Sequence, residues 1–269
     1  MNIQQPLGFS SKLNRNSDAW INGEQPDGFK FIELVAEYQP SENDEIKEQC
    51  LQRYREDYER ANQQDLKVWS VHLPYGAHLD LTVDSDRSEE IVRNFAVYVD
   101  QTIAMGTHCY VVHVFQPEPL EFTDRNPLLQ RANHNIKLLG EYIASKGAIL
   151  AVEALPRTNL GNTSDECLRM IQGTAAGICL DVNHLLIENH HQFISAAYPH
   201  ICTVHLSDYD FVDEKHWVPG EGKLDWKNLL ALFQESGYNG PLMFEVTSHK
   251  NGEKLFLKDI RDGFLKAIK

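Results

Sequence analysis

Several features that would place a protein in a membrane or outside the cell are missing from this 269-residue sequence. No stretch of about 18 apolar residues is present, so no membrane span is expected. The first residues, Met1-Asn-Ile-Gln-Gln-Pro6, lack the basic and apolar segments of a signal peptide. The cysteines number five and include no Cys-x-x-Cys pair. We therefore expect a reduced, cytoplasmic protein that keeps its thiols free.

A surplus of basic residues is also missing, and this absence bears most on function. The formal net charge is −14, and lysines and arginines are scattered without a cluster of five or six. Proteins that bind nucleic acid usually present a basic patch or stripe, so the charge balance argues against nucleic acid as a partner. The acidity fits ordinary solubility and is compatible with a carboxylate-rich metal site. A small molecule is the expected partner, and homo-oligomerisation stays open.

The chain shows no linker and no low-complexity segment, and strand-like and helix-like runs alternate along it. Strands are predicted from apolar runs ended by glycine, proline or polar residues, at residues 5–10, 28–35, 68–73, 109–115, 148–153, 177–181, 201–206 and 241–246. Helices are predicted from apolar residues at helical spacing, at residues 41–65, 87–105, 128–144, 163–171, 192–197, 225–235 and 255–268. The Thr163-Ser-Asp-Glu166 sequence fits a capping box at the start of one of these helices.

Alternating strands and helices are typical of βα units, which pack as a parallel sheet with right-handed crossovers. With 42% hydrophobic residues, the chain can bury one large core. Eight units in about 250 residues match a closed (β/α)8 barrel. An open, doubly wound sheet should carry a glycine-rich turn after an early strand, and none is present. The sequence therefore predicts the α/β class and a single (β/α)8 TIM barrel domain spanning residues 1–269.

Histidines and carboxylates stand at the ends of the predicted strands from the third to the eighth. In a (β/α)8 barrel the carboxyl ends of the strands form the active-site mouth. Each residue alone has a structural explanation, since Asp181 suits a helix cap and a lone histidine more often packs, hydrogen-bonded, in a core. Their joint occurrence at one mouth is what indicates a site. The residues are His72, His113, Glu153, Asp181, His205 and Glu245.

Four of these residues form a suitable set of metal ligands. A buried carboxylate without a partner costs several kcal/mol, and such groups at one mouth would repel each other or take up protons. A cation between them removes that cost. Two glutamates, one aspartate and one histidine suit a divalent ion such as Mn²⁺, Mg²⁺, Co²⁺ or Zn²⁺. The carboxylates are Glu153, Asp181 and Glu245, and the histidine is one of those at the same mouth.

Several segments resemble the xylose isomerase-like barrel superfamily, which includes sugar isomerases and epimerases and the endonuclease IV type of DNA-repair enzyme. They occur in the order of that superfamily and on the expected strands, across more than half of the chain. Each segment alone is weak, and together they are specific for the superfamily without fixing a member. The segments are Val152-Glu153, Leu180-Asp181-Val-Asn-His184, Val204-His205-Leu-Ser-Asp208, His216-Trp-Val-Pro-Gly-Glu-Gly222 and Phe244-Glu245.

Resemblance to the ketose 3-epimerase branch implies a sugar isomerase or epimerase that works by proton transfer through a metal-stabilised ene-diolate. It implies that Glu153, Asp181, His205 and Glu245 hold the metal. It also implies that the two glutamates move protons on opposite faces of the substrate. His184 and His216 match positions that orient substrate oxygens, although this branch often has arginine where this chain has His216. The candidate substrate-binding residues are His72, His113, His184, His216 and Arg157.

Resemblance to the endonuclease IV branch implies a different chemistry, that of a zinc-dependent phosphodiesterase acting on abasic DNA. That branch holds three zinc ions, and it has aspartate where this chain has Glu214. The negative net charge and the lack of a basic, DNA-facing loop favour the sugar enzyme. A third alternative is a barrel that binds a metal or a sugar without catalysis. The positions of the further zinc ligands fall on His72, His113, His184, His216 and Glu214.

Other polar and aromatic residues have two interpretations each. Arg157 meets either a substrate oxygen or a nearby carboxylate. Asp208 is either a metal ligand or the partner of one. The Asn159-Leu-Gly-Asn162 sequence predicts a turn. The tryptophans that either line a sugar pocket or, as is more usual, pack in the core or rim are Trp20, Trp69 and Trp217.

Overall fold

The barrel closes through hydrogen bonds between parallel strands that neighbour each other in chain order. The computed structural model describes residues 5–12, 26–36, 43–114 and 124–269. Pairing of β1 with β8, with Leu7 opposite Leu242, completes the ring, and the predicted (β/α)8 fold is confirmed. The strands are β1 (Leu7–Ser10), β2 (Phe29–Val35), β3 (Lys67–His72), β4 (Cys109–Val112), β5 (Ile149–Glu153), β6 (Gly177–Asp181), β7 (Ile201–Leu206) and β8 (Leu242–Phe244).

Capping side chains set the start of most helices. Asp124 accepts a hydrogen bond from the backbone N–H of Asn126, so one helix starts at Arg125 rather than at residue 128. A capping box between Asn189 and Gln192 likewise starts another helix at His190 rather than at the predicted residue 192. The helices are α1 (Asp44–Gln63), α2 (Ser88–Thr102), α3 (Arg125–Ser145), α4 (Ser164–Ile171), α5 (His190–Ala197), α6 (Trp226–Ser236) and α7 (Leu257–Ala267).

Other predicted boundaries hold or shift by a few residues. Thr163 caps α4 by accepting from the N–H of Glu166, which is one half of the predicted capping box. The Glu166 carboxylate instead pairs with Arg125 and accepts from the N–H of Gly161. In the structure β4 ends at Val112 and β8 at Phe244, so both strands are shorter than the apolar runs. Residues 41–42 of the first predicted helix and residue 115 of the fourth predicted strand lie outside the described residues.

Aromatic packing outside the barrel fixes the last strand. The Trp226 ring at the start of α6 lies 6.1 Å from Phe244 and 5.5 Å from Phe264, measured between ring centroids. Full burial of one large apolar side chain contributes roughly 1.5–3 kcal/mol. These contacts hold β8 against α6 and α7, and they thereby place Glu245, the residue after β8, at the mouth of the barrel.

Inside the barrel, side chains change from apolar to charged toward the carboxyl ends of the strands. Ala151 and Cys179 belong to a small apolar cluster of buried residues. Glu153 and Asp181 follow them at a spacing of two residues, which puts each pair on the same face of its strand. The five cysteines are free, as predicted. None of the described helices combines the length and apolarity needed to cross a membrane, and the cytoplasmic location stays a prediction.

Candidate metal centre and substrate cavity

The carboxyl ends of β3 to β8 bring the predicted site residues to one mouth of the barrel. Some are the last or next-to-last residue of a strand, and others directly follow one. Parallel strands closed in a ring present these ends to the same central space. From β3 to β8, the residues are His72, His113, Glu153, Asp181, His205 and Glu245.

The predicted metal ligands converge on a common centre. One ligand atom from each lies within 4.8 Å of the others, and all four side chains are buried. Asp181 Oδ2 and His205 Nδ1 are buried and make no hydrogen bond of good geometry to any described residue. His205 Nδ1 lies 3.1 Å from Glu245 Oε2, and Asp181 Oδ2 lies 3.5 Å from His184 Nε2. Three buried carboxylates and an imidazole nitrogen this close together suit a divalent cation. The candidate ligand set is Glu153, Asp181, His205 and Glu245.

A buried glutamate on β2, which the sequence-based prediction missed, holds His205 in place. Glu33 Oε2 lies 3.0 Å from His205 Nε2 and accepts a hydrogen bond from Ser70 Oγ at 2.7 Å. Because Nε2 donates to Glu33, Nδ1 is the nitrogen that faces the centre, and it carries the lone pair when the ring is neutral, as a metal ligand must be. The available signal was one carboxylate among the apolar residues 31–35. Its partner lies 172 residues away along the chain.

Lys12, the second residue after β1, was also missed. Its Nζ lies 2.6 Å from Glu245 Oε1. The negative charge of Glu245 raises the pKa of Lys12, against the opposing effect of burial. This ammonium group neutralises one carboxylate of the centre. Nothing in the sequence indicates the pair, since its members lie near opposite ends of the chain, 233 residues apart.

The pKa of one carboxyl group of the centre is raised, and the pKa values of two others are lowered. Burial raises the pKa of Asp181, and the charges of Glu245 and Glu153 add to this effect. Burial also acts to raise the pKa of Glu153, but neighbouring histidines bring it well below its ordinary value. The pKa of Glu245 is lowered in the same way by Lys12 and by histidines. A divalent cation would balance such a group of carboxylates.

Two histidines flank Glu153 on the side of β3 and β4. His72 Nε2 and His113 Nε2 lie 3.0 and 3.1 Å from the same atom, Glu153 Oε2. His72 Nδ1 lies 3.0 Å from the carbonyl oxygen of Leu73 and donates to it. Burial acts to lower the pKa of His72, but its hydrogen bond to Glu153 raises it overall. For His113, burial dominates and lowers the pKa.

Glu214 joins two further histidines on the opposite side of the centre. Its Oε1 lies 3.2 Å from His216 Nε2 and 3.6 Å from His184 Nε2. His184 Nε2 also lies 3.5 Å from Asp181 Oδ2. Burial acts to lower the pKa of His184, but the charge of Asp181 raises it to about 10. His216 has a φ of 51°, a strained conformation of the kind that clusters at functional sites.

Arg157 meets carboxylates, which is one of its two predicted interpretations. Its Nη1 lies 2.9 Å from Glu214 Oε2, and its Nε lies 3.0 Å from Asp213 Oδ1. The guanidinium is half exposed. Arg157 therefore reaches the metal centre only through Glu214 and the histidines that Glu214 contacts.

The site residues line a cavity at the mouth of the barrel. Its volume is about 420 Å³, within the range of about 300–1,000 Å³ that is typical of small-molecule sites. Val35 and Ala36 form an apolar wall, and the Tyr75 ring stacks on that of His113 with centroids 4.5 Å apart. The cavity thus joins a charged floor to apolar and aromatic walls, which suits a polar molecule with C–H faces.

Asp208 shapes the loop after β7 and stays outside the centre. Its two oxygens accept hydrogen bonds at 2.7 to 3.1 Å from backbone N–H groups of Tyr209, Gly220 and Leu224 and from the Trp226 indole. All of its acceptor capacity is therefore used within the protein. The interpretation of Asp208 as a metal ligand is not supported by this geometry.

The described tryptophans that were considered for a sugar pocket do not line the cavity. The Trp69 indole donates to Thr203 Oγ1 at 3.1 Å, and its ring lies 4.3 Å from that of His108. The Trp217 ring lies beneath two ammonium groups, with Lys250 Nζ 5.1 Å and Lys215 Nζ 6.0 Å from its centroid. Both tryptophans take the packing role. Trp20 lies outside the described residues.

Comparison with known proteins agrees with the observed fold. A family model described as "Xylose isomerase-like TIM barrel" matches residues 27–268. The solved structure of a D-tagatose 3-epimerase-like protein is similar to this chain with a TM-score of 0.76 and 19% sequence identity. The similarity covers 98% of each of the two chains.

Two other solved structures have the same barrel along nearly their whole length. The 3-keto-D-glucoside 4-epimerase YcjR from E. coli, in its apo form, gives a TM-score of 0.71 at 15% identity, over 98% of this chain and 99% of the other. The IOLI protein, solved with a binding zinc atom, gives a TM-score of 0.76 at 14% identity, over 98% of each chain. At such identities the similarity shows the fold.

Proposed function

Since the chain belongs to the xylose isomerase-like TIM barrel family, we propose that it is a divalent-metal-dependent isomerase or epimerase of a sugar or sugar phosphate. The buried convergence of two glutamates, one aspartate and one histidine carries this proposal. Solved structures with the same barrel that are named as epimerases of a ketose and of a keto-glucoside support the class of reaction.

The residues of the centre fit a single divalent cation. The donor set is rich in oxygen with one imidazole, which suits Mn²⁺, Mg²⁺, Co²⁺ or Zn²⁺. Glu33 fixes the ring of His205, and Lys12 holds one oxygen of Glu245, so two of the ligands are already oriented. When bound, such a cation polarises a sugar carbonyl and acidifies the neighbouring C–H bond.

Glu153 and Glu245 are the proposed proton-transfer groups. Both line the cavity, one at the end of β5 and the other after β8. Their lowered pKa values keep them ionised near neutral pH, so each can accept a proton. One glutamate, as the carboxylate, removes the proton from one face of the substrate. The other glutamate, once it has taken up a proton from solvent, delivers that proton to the opposite face of the ene-diolate, which inverts the configuration at that carbon.

The histidines around the cavity are the proposed substrate-binding residues. His184 Nδ1 lies 2.9 Å from the carbonyl oxygen of Ala154 and donates to it, so Nε2 is the atom that is left to meet a substrate hydroxyl. His216 lies beside it and shares Glu214 as a partner. Both nitrogens of His72 are engaged, by Leu73 and by Glu153, so His72 acts on the substrate by orienting Glu153. His113 contacts the same oxygen of Glu153 and lines the cavity beside it.

Solvent deuterium uptake into a ketose tests this proposal. The metal-loaded protein is expected to exchange the proton on the carbon next to the carbonyl of at least one sugar in a broad panel. Glu153→Gln and Glu245→Gln should lower kcat far more than they raise KM, because they remove a group that acts in the transition state. Glu221→Gln is the matched control, since Glu221 contacts His249 rather than the centre. Equal losses in kcat and metal content would show that the glutamates serve only as ligands.

A zinc-dependent phosphodiesterase acting on abasic DNA is the second candidate, and one observation favours it. Among the described residues, two further groups of ligand-type side chains that contain histidines outside the first set adjoin it, and they share Glu153 and Asp181 with it. A multinuclear centre of this kind would clamp both oxygens of a phosphodiester displacement. The two groups are His72 with His113 and Glu153, and His184 with His216 and Asp181.

Nicking of a duplex that carries one abasic site separates the two candidates. The sugar enzyme should leave such DNA intact at enzyme concentrations that give full sugar turnover. Metal-dependent nicking without any sugar exchange would establish the phosphodiesterase instead. Sugar binding with neither activity would establish the third alternative, a non-catalytic barrel.

A further inference from the structure

A second compartment adjoins the substrate cavity. The cavity of about 420 Å³ is the first compartment, and the second has a volume of about 230 Å³. Residues that line both are Tyr75, His113, His184 and Glu214. Because these side chains border both, the two compartments lie next to each other, and a molecule at the metal centre that reaches past these side chains enters the second compartment. The other walls of the second compartment are Val114, Leu155, Pro156, Arg157 and Asn159.

The loop between β5 and α4 builds the second compartment and is firmly held. Arg125 donates to the carbonyl oxygens of Thr158 and Asn159 at 2.8 and 2.7 Å, and it pairs with Glu166 on α4. Glu166 in turn accepts from the N–H of Gly161 at 2.9 Å. A loop fixed at this many points presents its side chains without a further ordering cost on binding.

The walls of the second compartment suit a ring with apolar faces and polar edges. Val114 and Leu155 are buried aliphatic side chains, and Pro156 continues this surface. The Tyr75 ring, stacked on His113, forms a flat aromatic wall. The Asn159 amide adds polar atoms at the edge. A pyranose ring combines C–H faces with hydroxyl edges, and it matches both kinds of surface.

The charges at the second compartment argue against a phosphate. Its only arginine or lysine among the described wall residues is Arg157. That guanidinium faces two carboxylates, with Nη1 2.9 Å from Glu214 Oε2 and Nε 3.0 Å from Asp213 Oδ1. His184, which lines the same compartment, also faces carboxylates, with Nε2 3.6 Å from Glu214 Oε1 and 3.5 Å from Asp181 Oδ2. These pairings leave no surplus positive charge for an anionic ligand. A neutral group is therefore favoured.

We propose that the substrate is a glycoside: a keto-sugar whose ring occupies the first compartment and whose glycosidic partner, a second neutral sugar, occupies the second. This inference rests on the proposed function and narrows its substrate class. The second compartment then acts as a subsite that raises kcat/KM for the disaccharide over the free monosaccharide.

Three matched sugars test the subsite: 3-keto-D-glucose, its 1-O-glucoside and its 1-phosphate. Solvent deuterium uptake is measured for each with the metal-loaded, full-length protein. The glucoside should have a kcat/KM about tenfold or more above that of either other sugar, as expected for contacts of this size. Equal values for the glucoside and the free sugar, or a preference for the phosphate, would overturn the inference.

Variants that fill the second compartment supply the control. Leu155→Trp and the milder Val114→Leu should bring the ratio of kcat/KM for the glucoside to kcat/KM for the free sugar down toward one. Val35→Leu makes the same change as Val114→Leu in the wall of the first compartment, and it should alter kcat/KM for all three sugars in similar proportion. If Leu155→Trp does not fold, the kcat/KM ratio of Val114→Leu decides whether the second compartment binds the glycosidic partner. An undiminished preference in a folded filling variant would refute the assignment.

Binding measurements separate failure of the subsite from failure of the proposed function. If none of the three sugars exchanges a proton, the isomerase proposal fails for this substrate class. Calorimetry with the glucoside and the free sugar then tests the compartment alone. Tighter binding of the glucoside, lost in Val114→Leu, would support the subsite, and equal affinities would refute it.

Discussion

Replacing Glu33 by glutamine tests how the barrel orients the histidine of the metal centre. Glu33 Oε2 lies 3.0 Å from His205 Nε2, and both residues are shielded from water. Glutamine keeps the size and an acceptor oxygen but removes the charge that strengthens the bond. Loss of such a partner lowers metal affinity about 10- to 100-fold. At about 1.4 kcal/mol per tenfold change, this corresponds to about 1.4–2.8 kcal/mol.

The affinity is measured by titrating Mn²⁺ or Zn²⁺ into the protein in competition with a chelator of known strength. Ser70→Ala is the matched control, because it removes one hydrogen bond to Glu33 and leaves the contact with His205. Its effect should be smaller than that of Glu33→Gln. Unchanged metal affinity in both Glu33→Gln and Glu33→Ala, in folded protein, would refute the orienting role.

Two further predictions concern stability. The folded pKa of His184, about 10, lies above the ordinary 6.5, so its stabilising effect on the metal-free protein is complete below pH 6.5 and is lost as the pH rises toward 10. His184→Gln should flatten that fall in the free energy of unfolding, measured by denaturant titration, and an unchanged slope would contradict this. Gly161 has a φ of +87°, and an added Cβ would lie 2.8 Å from Met170 Cε. Gly161→Ala should therefore lower the free energy of unfolding by about 1–3 kcal/mol. Gly147→Ala is the control and should lower it less, because φ is +86° there but no atom lies within 4 Å of the added Cβ.

The barrel and the position of its mouth follow from local sequence patterns. Apolar runs alternating with amphipathic stretches predict βα units, and their number predicts closure. A polar residue that ends an apolar run is visible without knowing its partners. Glu153 and Asp181 were therefore identified from the sequence, and the structure places both at the same centre.

The partners of these residues depend on contacts that no local pattern encodes. Glu33 lies in the middle of β2, and only closure of the ring brings it to His205 on β7. Lys12 reaches Glu245 because β1 pairs with β8. The contact between Glu214 and His216 requires a positive φ at the histidine. Each of these features is a property of the closed barrel rather than of a segment.

Asp208 illustrates the opposite error, in which a family-like segment suggests a site residue. Its position after β7 made it a candidate ligand, yet both of its oxygens are engaged by the loop that follows. The position of Asp208 after β7 fixes where its backbone lies in the barrel. Which atoms its oxygens contact depends on the fold of residues 209–226, and this was not readable from the spacing.

The number and identity of the metal ions bound to each purified chain test the central claim most directly. The centre formed by Glu153, Asp181, His205 and Glu245 predicts one Mn²⁺, Co²⁺, Mg²⁺ or Zn²⁺ per chain, measured by elemental analysis alongside protein concentration. Asp181→Ala should abolish that binding, since it removes a ligand without disturbing Glu33 or Lys12. Three zinc ions per chain would contradict the isomerase and favour the phosphodiesterase, and a metal content that does not change in Asp181→Ala would contradict the site itself.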